Sequence, residues 1–318
     1  MINFEMILFP ARKAWIFACG LLVMDAIFLP IAGFEVESGG ALMAVSAFAM
    51  MILVHVVYTR WRPAPMISAA SSAAAFLIAF TAIAALFSFL TLRLAAPLQD
   101  DLYARADSAL GLDWAGHIRW VSDHPSILYA LNLSYFSCMV QIAVIVIGLA
   151  TFSPCALSRF LLLFAATASI VCVLGALAPA AGAYAAHPLD PQTLARLPNP
   201  LTGRWHMEQF LAARSGELKS LNPIKLEGII QFPSFHAALA VILTHSLRLI
   251  PWLGLPALLL NGLMLVSTLA IGGHYLVDVV AGVLIAIVAI AATRPNESAM
   301  TDSPASARRK LDPRAARR

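Results

Sequence analysis

Two stretches near the C-terminal end carry the residues best suited to chemistry: Phe232-Pro233-Ser234-Phe235-His236 and Gly272-Gly273-His274-Tyr275-Leu276-Val277-Asp278. His274 and Asp278 are four apart at the start of an apolar run, so a helix places both side chains on one face. A carboxylate there accepts a hydrogen bond from one imidazole nitrogen, fixes the tautomer and leaves the other nitrogen basic. That makes His274 a candidate nucleophile or base, with Asp278 as its orienter. His236 is a second histidine suited to general acid work. Gly272 and Gly273 let the backbone approach a ligand, and the first N–H groups of the following helix favour an anion such as phosphate. Ser234 is a further donor, and Pro233 is well placed to start the helix that His236 opens. The expected chemistry is that of phosphate, at a membrane surface.

The elements that must position these groups are membrane spans. The chain has 318 residues, 60% hydrophobic and 12% charged, with a mean hydropathy of +0.82. A water-soluble domain of this size could not bury so much apolar surface. A span needs roughly 20 apolar residues to cross about 30 Å of hydrocarbon, which predicts an all-α, multi-pass transmembrane bundle of about eight spans. These are Ala14–Ala32, Ala41–Tyr58, Met66–Leu90, Ile127–Leu149, Phe160–Leu177, Phe235–Ile250, Trp252–Ile271 and Tyr275–Ala292. Arg12, Lys13, Arg60, Arg62, Arg159, Arg248 and Arg294 fall on one side if the spans alternate, which predicts cytoplasmic termini. His236 and His274 then open the sixth and eighth spans from the same opposite face, so one site can hold both.

That opposite face also receives two long segments, 93–125 and 181–231. Leu98 to Val121 reads as an amphipathic helix on the membrane surface, or equally as a solvated helical connector. The second segment is rich in proline and long enough to be a lid or binding element. Residues 1–65 form two additional spans, 66–293 a six-span core, and 294–318 a disordered basic cytoplasmic tail. The formal charge of +4, much of it in that tail, fits anionic headgroups rather than nucleic acid. Cys19, Cys138, Cys155 and Cys172 have no metal-ligand spacing and are expected as free thiols. Asp25 and His55 lie inside spans and either line a pathway or hydrogen-bond between helices. His245 lies about 13 Å deeper along its helix than His236, outside the site.

Pro233-Ser234-Phe235-His236, followed by Ser267, His274 and Asp278, resembles the second and third signatures of the type 2 phosphatidic acid phosphatase superfamily. Phe-Pro-Ser-Phe-His and Gly-His-Tyr-x-x-Asp look most like the branch containing inositol phosphorylceramide synthases and related bacterial proteins. The segment from Asp107 to Asp113-Trp114 resembles an upstream element of that branch. The resemblance, over roughly residues 66–293, implies that His274 attacks phosphorus to form a phosphohistidine, Asp278 orients it and His236 protonates the leaving oxygen. It implies that Ser234 and the Gly273 backbone hold phosphate oxygens, on a lipid phosphoester substrate, with no metal and no cofactor. It further implies a bacterial inner membrane with the site facing the periplasm. The family's first signature, Lys followed by Arg-Pro, has no counterpart here, and Thr268 stands where an Arg is expected. Lys225 is the first candidate to replace the missing phosphate-binding cation, with Lys219, Arg204 and Arg214 as further candidates. The departures favour the phosphotransferases over the phosphatases.

Two readings of other classes compete. Asp25, His55 and the extra spans would also suit a non-enzymatic lipid or solute transporter. A serine hydrolase using Ser234 is poorer, because Ser234 and His236, two apart at a helix start, do not face each other. Nothing in the sequence sets the lipid, the acceptor or the oligomeric state.

Overall fold

A computed structural model describes residues 11–197, 206–226 and 228–293. The predicted disordered tail, 294–318, lies outside these residues. Five described helices are long and apolar enough to cross a membrane: α1 (Trp15–Ala32), α2 (Ser38–Arg60), α3 (Pro65–Leu92), α6 (Pro125–Phe152) and α7 (Pro154–Leu177). Three shorter apolar helices follow, α11 (Phe235–Leu247), α12 (Gly254–Ala270) and α13 (Leu276–Ala292). Each of the eight matches one predicted span, and the chain is an all-α integral membrane protein. Helix α7 starts at Pro154, six residues before the Phe160 expected from the apolar run. Pro154 at the first helical position and the Ser153 hydroxyl, which accepts from the Ala156 N–H at 3.4 Å, start the helix earlier.

Helix α11 lies at the centre, packed against α6, α7, α12 and α13. The main apolar core runs through Phe76, Phe80, Leu149, Phe160, Leu161, Ile242 and Leu243. Helix α1 packs on α3, and α2 packs along α3 as well. His55 belongs to that second contact: its Nδ1 lies 2.9 Å from the Ser68 carbonyl and 3.0 Å from its hydroxyl. The helix-to-helix alternative therefore holds for His55. Asp25 is buried, and neither carboxylate oxygen has a hydrogen-bond partner among the described residues.

The single amphipathic helix expected between Leu98 and Val121 is instead two, α4 (Asp100–Ala109) and α5 (Trp114–Ser122). Gly111 at φ +80° breaks the run, and Asp113 caps α5 by accepting from the Gly116 N–H at 2.8 Å. Both helices pack down on the protein through Tyr103, Trp114, Ile118 and Val121 in a second apolar cluster that includes Tyr184 and Tyr275. The long segment after α7 contains α8 (Ala183–Ala186), α9 (Pro191–Arg196) and α10 (Met207–Ser215). Strand β2 (Ser220–Leu221) in that segment pairs in parallel with β1 (Glu35–Val36), between α1 and α2. The Glu37 carboxylate accepts from Asn222 Nδ2 at 2.8 Å and ties the α1–α2 hairpin to the same segment.

Candidate active site

The two motif stretches meet through their backbones. Ser234 donates its N–H to the Asp278 carbonyl at 3.0 Å. A Cβ added at Gly282 would lie 2.2 Å from the Ser234 carbonyl oxygen, so the bare Gly282 lets α13 close on the start of α11. The Ser234 hydroxyl accepts from the Ala237 N–H at 3.3 Å and caps α11. Pro233 therefore precedes the cap and does not begin the helix. Ser234 is fully buried.

His274 sits in the loop between α12 and α13. Its Nδ1 lies 3.4 Å from Asp278 Oδ2, and that oxygen also accepts from the Tyr275 N–H at 2.9 Å. Burial pushes the His274 imidazole down to about 4, against a hydrogen bond with the Gln231 backbone that raises it. At neutral pH the ring is uncharged and retains a lone pair. His236 stacks on Tyr135, the ring centroids 4.1 Å apart, and its Nδ1 is 3.1 Å from the Tyr135 hydroxyl. A Cβ at Gly272 would come within 2.7 Å of His274 Cδ2 and 3.2 Å of Tyr135 Cε2. The glycine thus brings the Tyr135–His236 pair and His274 against one point of backbone.

The anion expected at the N-terminus of α13 is already supplied by the protein. The Asp107 carboxylate accepts from the Leu276 N–H at 2.7 Å and from the Val277 N–H at 3.2 Å. With the Tyr275 N–H taken by Asp278, the first donors of the helix are committed, which corrects the phosphate site predicted there. Burial raises the Asp107 carboxyl above the ordinary range, while these two hydrogen bonds and the nearby His187 lower it. The surrounding loop is fastened in the same way. Asp100 accepts from the Ala181 and Gly182 N–H groups and from the Tyr275 hydroxyl. Trp114 donates its indole N–H to the His274 carbonyl at 3.2 Å. Gly273, at φ +69°, gives its carbonyl to the Ala183 N–H at 2.8 Å.

A cavity of about 530 Å³ opens beside these groups. His236, His274, Gly272, Gln231, His206 and Tyr135 line one region, and apolar residues of α3, α6, α7 and α11 line the rest, including Phe80, Ile142, Phe164 and Leu239. Ser234, Gly273 and Lys225 are not among its lining residues. Lys225 and Lys219 are exposed. Arg214 donates to the Ala96 carbonyl at 2.9 Å and lies over the Phe210 ring, and Arg204 falls outside the described residues. Among the described lining residues there is no lysine or arginine. Thr268 holds the loop, its carbonyl accepting from the His274 N–H at 3.2 Å. The sequence reading missed Tyr135, His206 and Gln231. Tyr135 is one aromatic in an apolar span, and the other two lie in an irregular segment, so no spacing marked them.

Fold and site together define a multi-pass membrane protein with two histidines and a buried carboxylate at the head of an apolar cavity. A family model described as the PAP2 superfamily matches residues 102–292, more than half of the chain, and the protein belongs to that superfamily of membrane phosphatases and phosphotransferases acting on lipid phosphoesters. No individual curated protein and no solved structure gave a match. Membership makes the protein an enzyme of this superfamily and displaces the transporter reading. The serine hydrolase reading loses its nucleophile, since Ser234 is a buried helix cap off the cavity wall.

Proposed function

We propose that the protein transfers the phosphoryl-containing group of a lipid phosphoester to an alcohol by way of a phosphohistidine, most like inositol phosphorylceramide synthase-type phosphotransfer on sphingolipid acceptors. With Nδ1 directed toward Asp278, His274 attacks phosphorus through Nε2, and the bond from phosphorus to the leaving oxygen breaks. His236 acts as an imidazolium, its Nδ1–H donated to the Tyr135 hydroxyl, and delivers its Nε2 proton to that oxygen, which leaves the ring neutral. An acceptor hydroxyl then attacks phosphorus, its proton passes to His236, and the P–N bond breaks to free His274. Residues 66–293 act as the catalytic core, with the site at the extracytoplasmic face of a bacterial inner membrane.

The observation that carries this reading is one cavity lined by both histidines and, for the most part, by apolar side chains. A lipid fits it with phosphate at the head and chain among the helices. The burial of His274 keeps bulk water from the reacting bond and so favours transfer over hydrolysis. Ser234 and Gly273 serve this site by shaping its backbone, and Lys225, exposed and off the cavity wall, takes no part in the steps above.

Hydrolysis of a lipid phosphate or prenyl diphosphate is the second reading, favoured by the family match itself. Purified protein incubated with a labelled phospholipid donor and lipid alcohol acceptors separates the two. The expected outcome is a labelled transfer product that depends on the acceptor. Release of inorganic phosphate or free headgroup phosphate alone, whatever acceptor is supplied, would sink the transferase version.

A further inference from the structure

His206 and Gln231 are polar side chains buried in a cavity wall that is otherwise mostly apolar. His206 is 1% exposed and lies just before α10. Its Nε2 is 2.8 Å from Gln231 Nε2 and 3.4 Å from the Ala181 carbonyl. Gln231 contacts the reacting centre as well, since its backbone is hydrogen-bonded to His274. His206, Gln231 and His274 therefore form one connected string along the head of the cavity. His206 and His274 are also close enough that a charge on His274 disfavours one on His206.

A phosphoester brings at least one negative charge into this space. Desolvating that charge is costly unless hydrogen-bonded groups of opposite sign meet it. The described wall offers imidazoles as its only groups able to become cations, and two of the three are assigned to bond making and breaking. We propose that His206 is the third imidazole of the substrate site, donating a hydrogen bond to a non-reacting oxygen of the lipid phosphate while His274 attacks phosphorus. This rests on the reading given under Proposed function. Gln231 is the positioning residue: its amide N–H donates to Nε2 of His206 at 2.8 Å, which leaves the ring proton on Nδ1 as the donor to the phosphate oxygen. A purely structural role, tying the segment to Ala181, would account for the hydrogen bonds but not for an imidazole beside His274 on the cavity wall.

The test compares wild type, His206→Phe, His206→Gln and His274→Ala as full-length protein in detergent micelles. It measures kcat and KM for a soluble short-chain lipid phosphoester, Ki for inorganic phosphate, and the thermal unfolding midpoint. His206→Phe keeps the ring and removes the donor. It is expected to raise KM and the phosphate Ki about tenfold or more, as for a charge-assisted hydrogen bond lost to a buried ligand. Its kcat should stay within about threefold of wild type. His206→Gln, which keeps an N–H donor, should fall between the two and decides the matter if the Phe variant does not fold. Unchanged KM and Ki in both variants would overturn the assignment, as would a loss of kcat and unfolding midpoint with KM and Ki intact. Wild-type turnover in His274→Ala would overturn the catalytic reading and this proposal with it. Loss of turnover there, with unaltered KM and Ki in the His206 variants, removes His206 alone.

Discussion

Asp278 carries two tasks with one oxygen. Its Oδ2 accepts the Tyr275 N–H at the start of α13 and faces Nδ1 of His274, so the residue that starts the helix also orients the imidazole. Asp278→Asn separates the tasks, because an amide oxygen still accepts from Tyr275 while the negative charge that fixes the tautomer is gone. We expect kcat to fall by about 10²–10⁴, as for loss of the orienting carboxylate in other histidine-dependent sites. The unfolding midpoint should move little, since the cap survives. The pH profile adds a signed check. His274 is neutral above a pKa held at about 4 by burial, and protonation removes the lone pair that attacks. The acid limb of wild-type turnover should therefore fall as pH drops through that value. Steady-state kinetics and thermal melts of the two proteins across pH measure both effects.

Among the elements, α13 depends most on a distant partner. Its first turn is capped by Asp107, 169 residues earlier, across the contact between α4 and α13. Asp107→Ala would remove a buried carboxylate and leave the half-buried Leu276 and Val277 N–H groups without that acceptor. We expect a stability loss of about 0.5–2 kcal/mol, the range for a deleted N-cap, read as a lower unfolding midpoint. A fall in kcat should accompany it, because the same turn aims His274. Asp107→Asn, which retains one acceptor oxygen, should recover part of both. This dependence also explains what was legible in the chain. His274 and Asp278 announced themselves by their spacing, and the eight helices by apolar runs. The partner of the α13 N-terminus did not, because Asp107 in a polar, helical segment looks like any solvated acid until the fold brings it against that turn. The anion predicted for those N–H groups was right in sign and wrong in source. His206, Gln231 and Tyr135 were hidden for a related reason: each matters through a neighbour distant in sequence, and none carries a local pattern.

At the scale of the whole molecule, two regions build one cavity. The family match spans residues 102–292 and includes His236, His274, Asp278 and Asp107 of α4. One wall, from Leu77 to Ser88 of α3, comes from outside that match, as does the α1–α2 hairpin whose Glu35 and Val36 pair with Ser220 and Leu221. The hairpin thereby fastens the segment that carries His206 and Gln231 to the side of the bundle. Phe34 packs there with Phe89, Phe210 and Leu221, and Arg93 lies over its ring, 4.4 Å from the centroid. Helix α3 thus completes the cavity wall, and the α1–α2 hairpin braces the segment beside it.

The central claim is that His274 is the atom-bearing nucleophile, and rapid quenching tests it most directly. Full-length protein is mixed with a lipid phosphoester labelled in its phosphate, stopped in base, digested and mapped. The account predicts label that is stable in alkali, lost in acid, and located on the peptide containing His274, with none in His274→Ala. Label on Ser234 or another residue, or undiminished turnover by His274→Ala, would contradict it.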